Sequence, residues 1–546
     1  MGAEPEHIAV PRRVSSKNWA IVAIAPVLTV LGCLDCWRSV HAQESQYSQP
    51  PPADFFGTTG VKTRNWAITP RVGLRGILTD NANLDPPGEE EWDAALDVRP
   101  GISAVSEGAR VSWFLDYELS TAFFLRDQGL GDTSHRFTGR GESELVEDWF
   151  YFDAEANYTQ AIIDAGAPVS IRGLTNQNLA DVFSYQLSPY LRHSFGGKVD
   201  TEVGYDYEEV IYVDGDGADG TRHHWRALFG DGPLFRSPLT WSVGYDYDRQ
   251  LREDSPTISY EDLFGRAGYR LTPQFSLLAE AGYTDPQTTR SNAQEGSYWG
   301  VGGRWAPSRF LSVEALKGNN LETAGVVLSP TRRTSLGVTY RAQDVGRNTN
   351  PQWQAFAQHR ARRTNLQASY TEEIETSQTE QIAQGPSTIF VDSAGEEVVN
   401  PGPNDIVFEV PTSTLSITDE EFLSKRATIS ASYDRGKSTF WTRLTGRTRE
   451  FESSPNEETK AIDVGWNWRF RPRTTAIFRA GYERYDQEDG EDGRDLWTFN
   501  ARLQYRLSTN ASASLEYLHA EQWSEQLGGL NDYIENRLTA GLLMTF

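Results

Sequence analysis

Cysteine is nearly absent from this chain of 546 residues: Cys33 and Cys36 are the only two. That excludes a disulfide-built scaffold. Positive charge is also in deficit, with 51 Lys and Arg against 76 Asp and Glu and a net charge of −25. Nucleic acid, which asks for a basic face, is therefore excluded as a partner. Apolar residues are only 38% of the chain. After Asn65 no apolar run approaches the ~20 residues of a membrane helix. What is plentiful is aromatic: 16 Trp, 23 Tyr and 25 Phe. That excludes a disordered chain, which is poor in such residues.

The N-terminus reads as an address. Arg12, Arg13 and Lys17 precede an apolar run from Trp19 to Leu34, broken by Pro26 and Gly32, and Val40-His41-Ala42 then offers a cleavage site before Gln43. The pattern is that of a secretory signal peptide over residues 1–42, too short for a spanning anchor. Val30-Leu31-Gly32-Cys33 is a poor lipobox, and Arg12-Arg13 lacks the Phe-Leu of a twin-arginine signal. Cleavage removes both cysteines and leaves Met544 as the sole methionine, so no thiolate chemistry is expected of the mature chain. Residues 43–64, with Pro50-Pro51-Pro52, read as an exposed periplasmic linker without a plug domain.

From residue 65 to 546 one pattern repeats. Leu239, Trp241, Val243, Tyr245 and Tyr247 alternate with Thr240, Ser242, Gly244, Asp246 and Asp248. Val111 to Leu119, Phe275 to Tyr283 and Ala476 to Tyr482 alternate likewise. Period two gives a strand with one apolar and one polar face; a helix would repeat every three to four residues. Eleven short turns separate these strands, at Glu107-Gly108, Glu147-Asp148, Gly196-Gly197, Ser237-Pro238, Pro273-Gln274, Pro307-Ser308, Pro330-Thr331, Arg362-Arg363, Arg435-Gly436, Arg471-Pro472 and Thr509-Asn510. Connections on the other side are longer and more acidic. Eleven turns join twenty-two strands, and Trp66 to Thr79 and Asn536 to Phe546 bring the number to about 24, within a range of roughly 20 to 26. An even count with short turns on one side describes an all-β fold, an up-and-down antiparallel outer-membrane barrel. In hydrocarbon every backbone N–H and C=O needs a partner, so a sheet crosses only if it closes on itself. A soluble sandwich or propeller would not show the loop asymmetry.

Aromatic pairs recur near the far ends of rising strands: Val203-Gly204-Tyr205-Asp206-Tyr207 and Val243-Gly244-Tyr245-Asp246-Tyr247, then Tyr283, Tyr482 and Tyr517. They are expected to form a girdle at the outer interface. The last strand alternates Leu538, Ala540, Leu542, Met544 and Phe546 against Thr539, Gly541, Leu543 and Thr545. It resembles the C-terminal signal read by the barrel-assembly machinery. Outer-membrane lipid and lipopolysaccharide are the other expected partners.

No local motif carries catalysis, and an enzyme is not expected; no catalytic, cofactor or metal site is assigned. Gly436-Lys437-Ser438-Thr439 imitates the end of a P-loop but lacks its first glycine and reads as a hairpin turn. Cys33 and Cys36 are followed by Trp37, not the His of a haem motif. The histidines beyond residue 42 (135, 193, 223, 224, 359 and 519) make no metalloprotease motif, and no nucleophile elbow occurs. Asp214, Asp216 and Asp219 sit in a Gly-rich loop that offers oxygen ligands without the order of an EF-hand. Acidic loops of this kind also invite bridging to lipopolysaccharide through divalent cations. Charges on the non-apolar faces (Asp116, Glu118, Asp246, Asp248, Arg304, Arg479 and Glu483) are expected to face the lumen, because charge facing lipid is costly. The longest interruption, residues 372–421, holds twelve acidic residues and neither Lys nor Arg. It is expected on the extracellular side, either as a solvated loop or folded into the pore. Ile389-Phe390-Val391 and Glu397-Val398-Val399 are expected to pair within it as a small hairpin.

Thr79-Asp80-Asn81-Ala82-Asn83-Leu84, Gly108-Ala109-Arg110, Glu144-Leu145-Val146-Glu147-Asp148-Trp149 and Asp419-Glu420-Glu421-Phe422-Leu423-Ser424-Lys425-Arg426 resemble an uncharacterised outer-membrane family. That family accompanies the PEP-CTERM/exosortase sorting system, often beside exopolysaccharide biosynthesis genes. The resemblance spans most of the mature chain. It implies a channel or accessory role in exopolysaccharide export or in PEP-CTERM surface-protein systems, and it carries no site residues. The competing expectation is a structural barrel that anchors surface polymer or a partner protein through its acidic loops. A barrel clasping an electron-transfer cytochrome is a third, requiring a haem partner the chain does not encode.

Overall fold

The computed structural model describes residues 66–546 apart from 128–132, 169–177, 214–216, 254, 385–387, 392–405, 410–416, 419, 489–492 and 525–530. The expected signal peptide and linker therefore lie outside the described residues, as do Asp214, Asp216 and Glu397 to Val399. Twenty-four strands form one sheet in which each pairs antiparallel with its sequence neighbour. The first, Trp66–Thr79, also pairs with the last, Tyr533–Thr545, from Arg71↔Thr545 to Thr79↔Arg537. The Phe546 N–H donates to the Pro70 carbonyl at 2.9 Å and completes the seam. With no edge left, every strand has a hydrogen-bonded neighbour on both sides, as a hydrocarbon surround requires.

All eleven expected short turns fall at hairpin junctions, but Pro307-Ser308 and Pro330-Thr331 end their strands, and the chain reverses just after them, at residues 309–310 and 332–333. Gly196, Gly197 and Gly436 have φ of 59°, 67° and 63°, a region that favours glycine, and they let their two hairpins reverse within three residues and two residues. The P-loop look-alike is thus the turn Arg435↔Ser438. The loop asymmetry is less strict than expected. On the long-loop side, Leu239–Arg252 reaches Ser255–Thr272, and Leu311–Asn319 reaches Glu322–Thr331, through two residues each. Neither junction has a Pro or Gly to mark it, so alternation alone had to find it.

The two faces differ as the alternation requires. Val243 is 43% and Leu515 50% exposed, while Asp116 and Asp248 are 4% and 7% exposed. A large apolar surface turned outward over a charged interior is the inverse of a soluble protein, and is what a lipid surround demands. Outward rings stack where the tyrosines were expected: Tyr205 on Trp225 at 4.4 Å and Tyr482 on Trp497 at 4.4 Å. A second row that the sequence reading missed lies toward the short turns, where Phe440, Trp466, Trp468 and Phe470 follow one another at 5.7, 5.3 and 5.1 Å. Ile462 lies opposite Tyr482. On its strand the second row begins four residues on, at Trp466, and its far end, Phe470, is eight residues away. At ~3.3 Å per residue and a ~40° tilt that far end stands roughly 20 Å from the first row along the barrel axis, close to one apolar band.

The inward charges pair with one another. Arg71 donates to both oxygens of Asp116 at 2.6 and 2.8 Å and to Ser103 at 2.7 Å. Asp97 takes Arg75 and Arg99 at 2.7 Å each. Arg266 and Arg341 share Glu280 at 3.0 and 2.9 Å, and Arg479 holds Asp463 at 2.6 Å. Arg75–Asp97, Arg266–Glu280 and Arg479–Asp463 join neighbouring strands, and Arg99 and Asp97 share one. Arg71 reaches Asp116 across one strand and Arg341 reaches Glu280 across three, so the pairs stiffen the wall while keeping both signs off the lipid face.

Candidate functional site: the strapped mouth of the barrel

The long acidic interruption starts later than expected, because the strand Thr364–Glu375 carries Glu372 to Glu375 within its pairing. The described part of the interruption turns inward. Its helix, Ser377–Gln384, opens with Thr376 as cap: the Thr379 N–H donates to Thr376 Oγ1 at 3.3 Å. Thr376, Ser377, Gln378 and Glu380 are all buried, which a solvated loop would not show. Within the same interruption Thr388–Val391 pairs with Ile406–Glu409. This corrects the expected hairpin, since the partner of Ile389 is Phe408, one segment farther along. Both segments alternate apolar residues, and pattern alone gave no means of choosing between them.

The helix spans the mouth. It is rooted on the seventeenth strand of the wall, and Gln378 Nε2 donates to the Ala218 carbonyl, beyond the seventh, at 3.2 Å. That is 17 − 7 = 10 places around a wall of 24. Thr376 Oγ1 donates to Gln250 Oε1 at 3.2 Å on the ninth strand. Ile417, on the returning limb, packs on Ala180, Val182, Val210 and Tyr212 of the sixth and seventh strands. On the near side Glu380 accepts from Arg447 and Arg449, one carboxylate oxygen to each guanidinium. Residues 447 and 449 are two apart on one strand, so both point inward. Arg447 also meets Glu375 at 3.2 Å and Arg449 meets Glu457 at 3.2 Å.

Further ties close the mouth around this strap. Glu421 accepts from Arg347 at 3.2 Å, from the Thr289 N–H at 3.2 Å and from the Thr288 hydroxyl. Glu420 accepts the N–H groups of Glu452, Ser453 and Ser454 at 2.7, 2.7 and 3.1 Å. The loop after the fifth strand reaches across as well, taking Asn531 Nδ2 on the Gly166 carbonyl at 3.3 Å. Asp219, the described member of the Asp-Gly loop, accepts the Tyr212 N–H at 2.8 Å and serves as a brace. Among the described residues no group of three or more His, Cys, Asp or Glu is placed to hold a metal. The six histidines are scattered: His135 and His223 meet outward tyrosines at 2.9 and 2.7 Å, while His224 sits inward between Asp206 and Asp246 at 3.2 and 2.9 Å.

Burial works to raise the Glu380 carboxyl, but Arg447 and Arg449 outweigh it and hold it down to about 2. Glu421 is likewise opposed by burial and lowered by Arg347, and Glu420 is lowered by the three N–H groups it accepts. A depressed carboxylate stabilises the closed arrangement fully above its ordinary value near 4.5 and loses that contribution as pH falls through its own lower value. Closure should therefore be indifferent to pH from 8 down to about 5 and weaken only toward Glu380's value of about 2. Bilayer current recorded against pH checks this; opening between pH 7 and about 5 contradicts it.

No family model matches the chain, and no curated protein matches it. Solved outer-membrane proteins do. The siderophore receptor PirA from Acinetobacter baumannii is 10% identical with a TM-score of 0.42, over 90% of this chain and 81% of that one. The FrpB iron transporter from Neisseria meningitidis (F5-1 variant) is 10% identical with a TM-score of 0.46, over 89% and 83%. A loop-deletion mutant of OmpT from Vibrio cholerae is 9% identical with a TM-score of 0.30, over 88% and 100%. Sealed seam, outward apolar band and inward charge make this chain a 24-stranded outer-membrane β-barrel whose long acidic loop straps its own mouth.

Proposed function

We propose that this barrel is a gated channel for extracellular polysaccharide, in line with the family resemblance, and that the inward helix Ser377–Gln384 is its gate. The observation that carries the reading is the Glu380 clasp on Arg447 and Arg449 at the end of a segment crossing the mouth. A wall of 24 strands encloses a lumen wide enough for a glycan chain, since diameter grows with strand number. The lining of alternating guanidinium and carboxylate presents hydrogen-bonding groups of both signs to a polar polymer. Planar-bilayer recording tests the proposal: the intact chain stays closed, and Glu380→Gln conducts. Silence in both, and in a chain without residues 377–418, contradicts it. The alternative, a barrel that anchors surface polymer or a partner protein through its acidic loops, is less well supported, because Glu380, Glu420 and Glu421 are spent on internal partners.

The same reading takes the N-terminal address as a cleaved export signal and the chain as a non-enzyme whose partners are outer-membrane lipid and lipopolysaccharide. Phe546 is 70% exposed at the end of the closing strand, open to recognition by the barrel-assembly machinery. Phe546→Ala should lower the amount of heat-modifiable, folded barrel in outer membranes severalfold, with little effect on the stability of the fraction that folds. Unchanged assembly yield contradicts that role.

A further inference from the structure

The strap ends on a cluster of inward guanidiniums that its helix bridges with one carboxylate. Arg426 and Arg447 both meet Glu375, at 3.5 and 3.2 Å, and Arg449 meets Glu457 at 3.2 Å. Those two carboxylates belong to the wall. The third carboxylate on these three guanidiniums is Glu380, brought in from the loop. Arg447 and Arg449 are 8% and 3% exposed at the side chain. If the helix swings away, Arg447 and Arg449 keep Glu375 and Glu457 but lose the carboxylate that bridges the two of them. Such a vacancy is costly unless another anion fills it.

The vacancy has a defined shape. Arg449 is fixed over the Phe422 ring at 4.6 Å, and Phe451 braces that ring edge-on at 5.4 Å. Arg447 Nε is buried with no hydrogen-bond partner among the described residues. Two inward guanidiniums two residues apart donate to one oxygen each of a single planar carboxylate, the arrangement Glu380 now adopts. The place Glu380 fills is that of a planar, singly charged group, which suits a carboxylate better than a tetrahedral, doubly charged phosphate.

We infer that Arg447 and Arg449, with Arg426 beside them, form a binding site for a carboxylate carried by the translocated ligand, and that Glu380 is the internal stand-in for it. Resting on the channel reading, this names the ligand class as an acidic, uronate-bearing glycan. Binding and gating are then one event: a sugar carboxylate that takes the two guanidiniums displaces Glu380 and frees the helix. The Glu380 side chain competes with ligand in the closed protein, so the apparent affinity is reduced by the fraction of time it occupies the site.

Calorimetric titration of the full chain, purified from outer membranes in detergent, tests this with a short oligogalacturonate as probe. Glu380→Gln should bind it at least about a hundredfold tighter than the unaltered chain, because the competitor's charge is gone and the site is freed. Adding Arg447→Gln and Arg449→Gln to that variant should abolish binding, and the methyl-esterified oligomer should bind to none of them. Gln378→Ala loosens the helix at its other anchor with every charge retained. It should tighten binding in the same direction and serves if Glu380→Gln fails to assemble. Affinity unchanged in both variants, binding that survives loss of the two arginines, or inorganic phosphate outbinding the oligogalacturonate each overturns the site. These outcomes are separate from the bilayer result. A variant that conducts but gains no affinity retains the channel and removes the carboxylate site; one that gains affinity but never conducts does the reverse.

Discussion

Replacing residues 377–418 with a short Gly-Ser linker should turn a silent barrel into an open pore. The segment contributes the buried residues Ser377, Gln378 and Glu380 with the reach of Gln378 to Ala218, and Ile417 with its seat on Val182 and Val210. Removing it takes away these ties across the mouth, leaves only Thr376 on Gln250, and keeps the 24-strand seam intact. Glu380→Gln should open the same pore in part. Breaking a buried ion pair from one side costs about 3–5 kcal/mol. At ~1.4 kcal/mol per tenfold, that shifts the balance between closed and open by two to three orders of magnitude. Single-channel recording should then show long openings in the point variant and continuous current in the excised one. A current from the unaltered chain equal to that of the excised one would contradict the gate.

The second large effect concerns the wall. Asp116→Ala should destabilise the folded barrel by roughly 3 kcal/mol, the lower end of the range for an uncompensated buried charge, because Glu118 remains near Arg71. Arg71 would lose bonds of 2.6 and 2.8 Å and keep Glu118 at 3.3 Å. The joint change Arg71→Leu with Asp116→Leu should cost far less, since two apolar side chains leave no orphaned charge. Urea unfolding followed by heat-modifiable migration measures both. A single variant within about 1 kcal/mol of the parent would mean that water, not Asp116, already satisfies the guanidinium.

The legible part of this molecule was its alternation. Trp241 and Val243 against Asp246 and Asp248 fix which face meets lipid, and the turn residues fix where the chain reverses, so strand number followed from one dimension of information. The reversals after Arg252 and Asn319 were hard to see because neither carries Pro or Gly; the one turn signal at the second is Asn320, at φ 55°. The strap was invisible for a different reason. Glu380 is one of twelve acidic residues in residues 372–421, and only the meeting of helix and wall across the lumen singles it out. Nothing in the sequence singles out Arg447 and Arg449 either, for the same reason.

The short motifs that carried the family resemblance turn out to be sites of stitching. Asn81 donates to the carbonyls of Asp85 and Ile534 at 2.8 and 3.1 Å, and Asp80 takes the Asn536 N–H at 2.7 Å. Glu144 accepts the Asp148 N–H at 2.7 Å, and Trp149 stacks on His193 at 3.8 Å. Glu420, Glu421 and Arg426 anchor the strap's return. Each motif holds a loop or turn to the wall, which is a sufficient physical reason for those residues to occur together whatever passes through the lumen.

The orientation of the two faces is tested most directly by spin labels. With Cys33 and Cys36 replaced, single Val243→Cys and Asp246→Cys variants can be labelled and reconstituted into vesicles, and the collision rates of each nitroxide with oxygen and with a water-soluble nickel chelate compared. Position 243 should be open to oxygen and shielded from nickel, and position 246, on the opposite face, should show the reverse. Nickel collision at 243 equal to that at 246 would mean that water bathes both faces, and the barrel would not be a membrane wall.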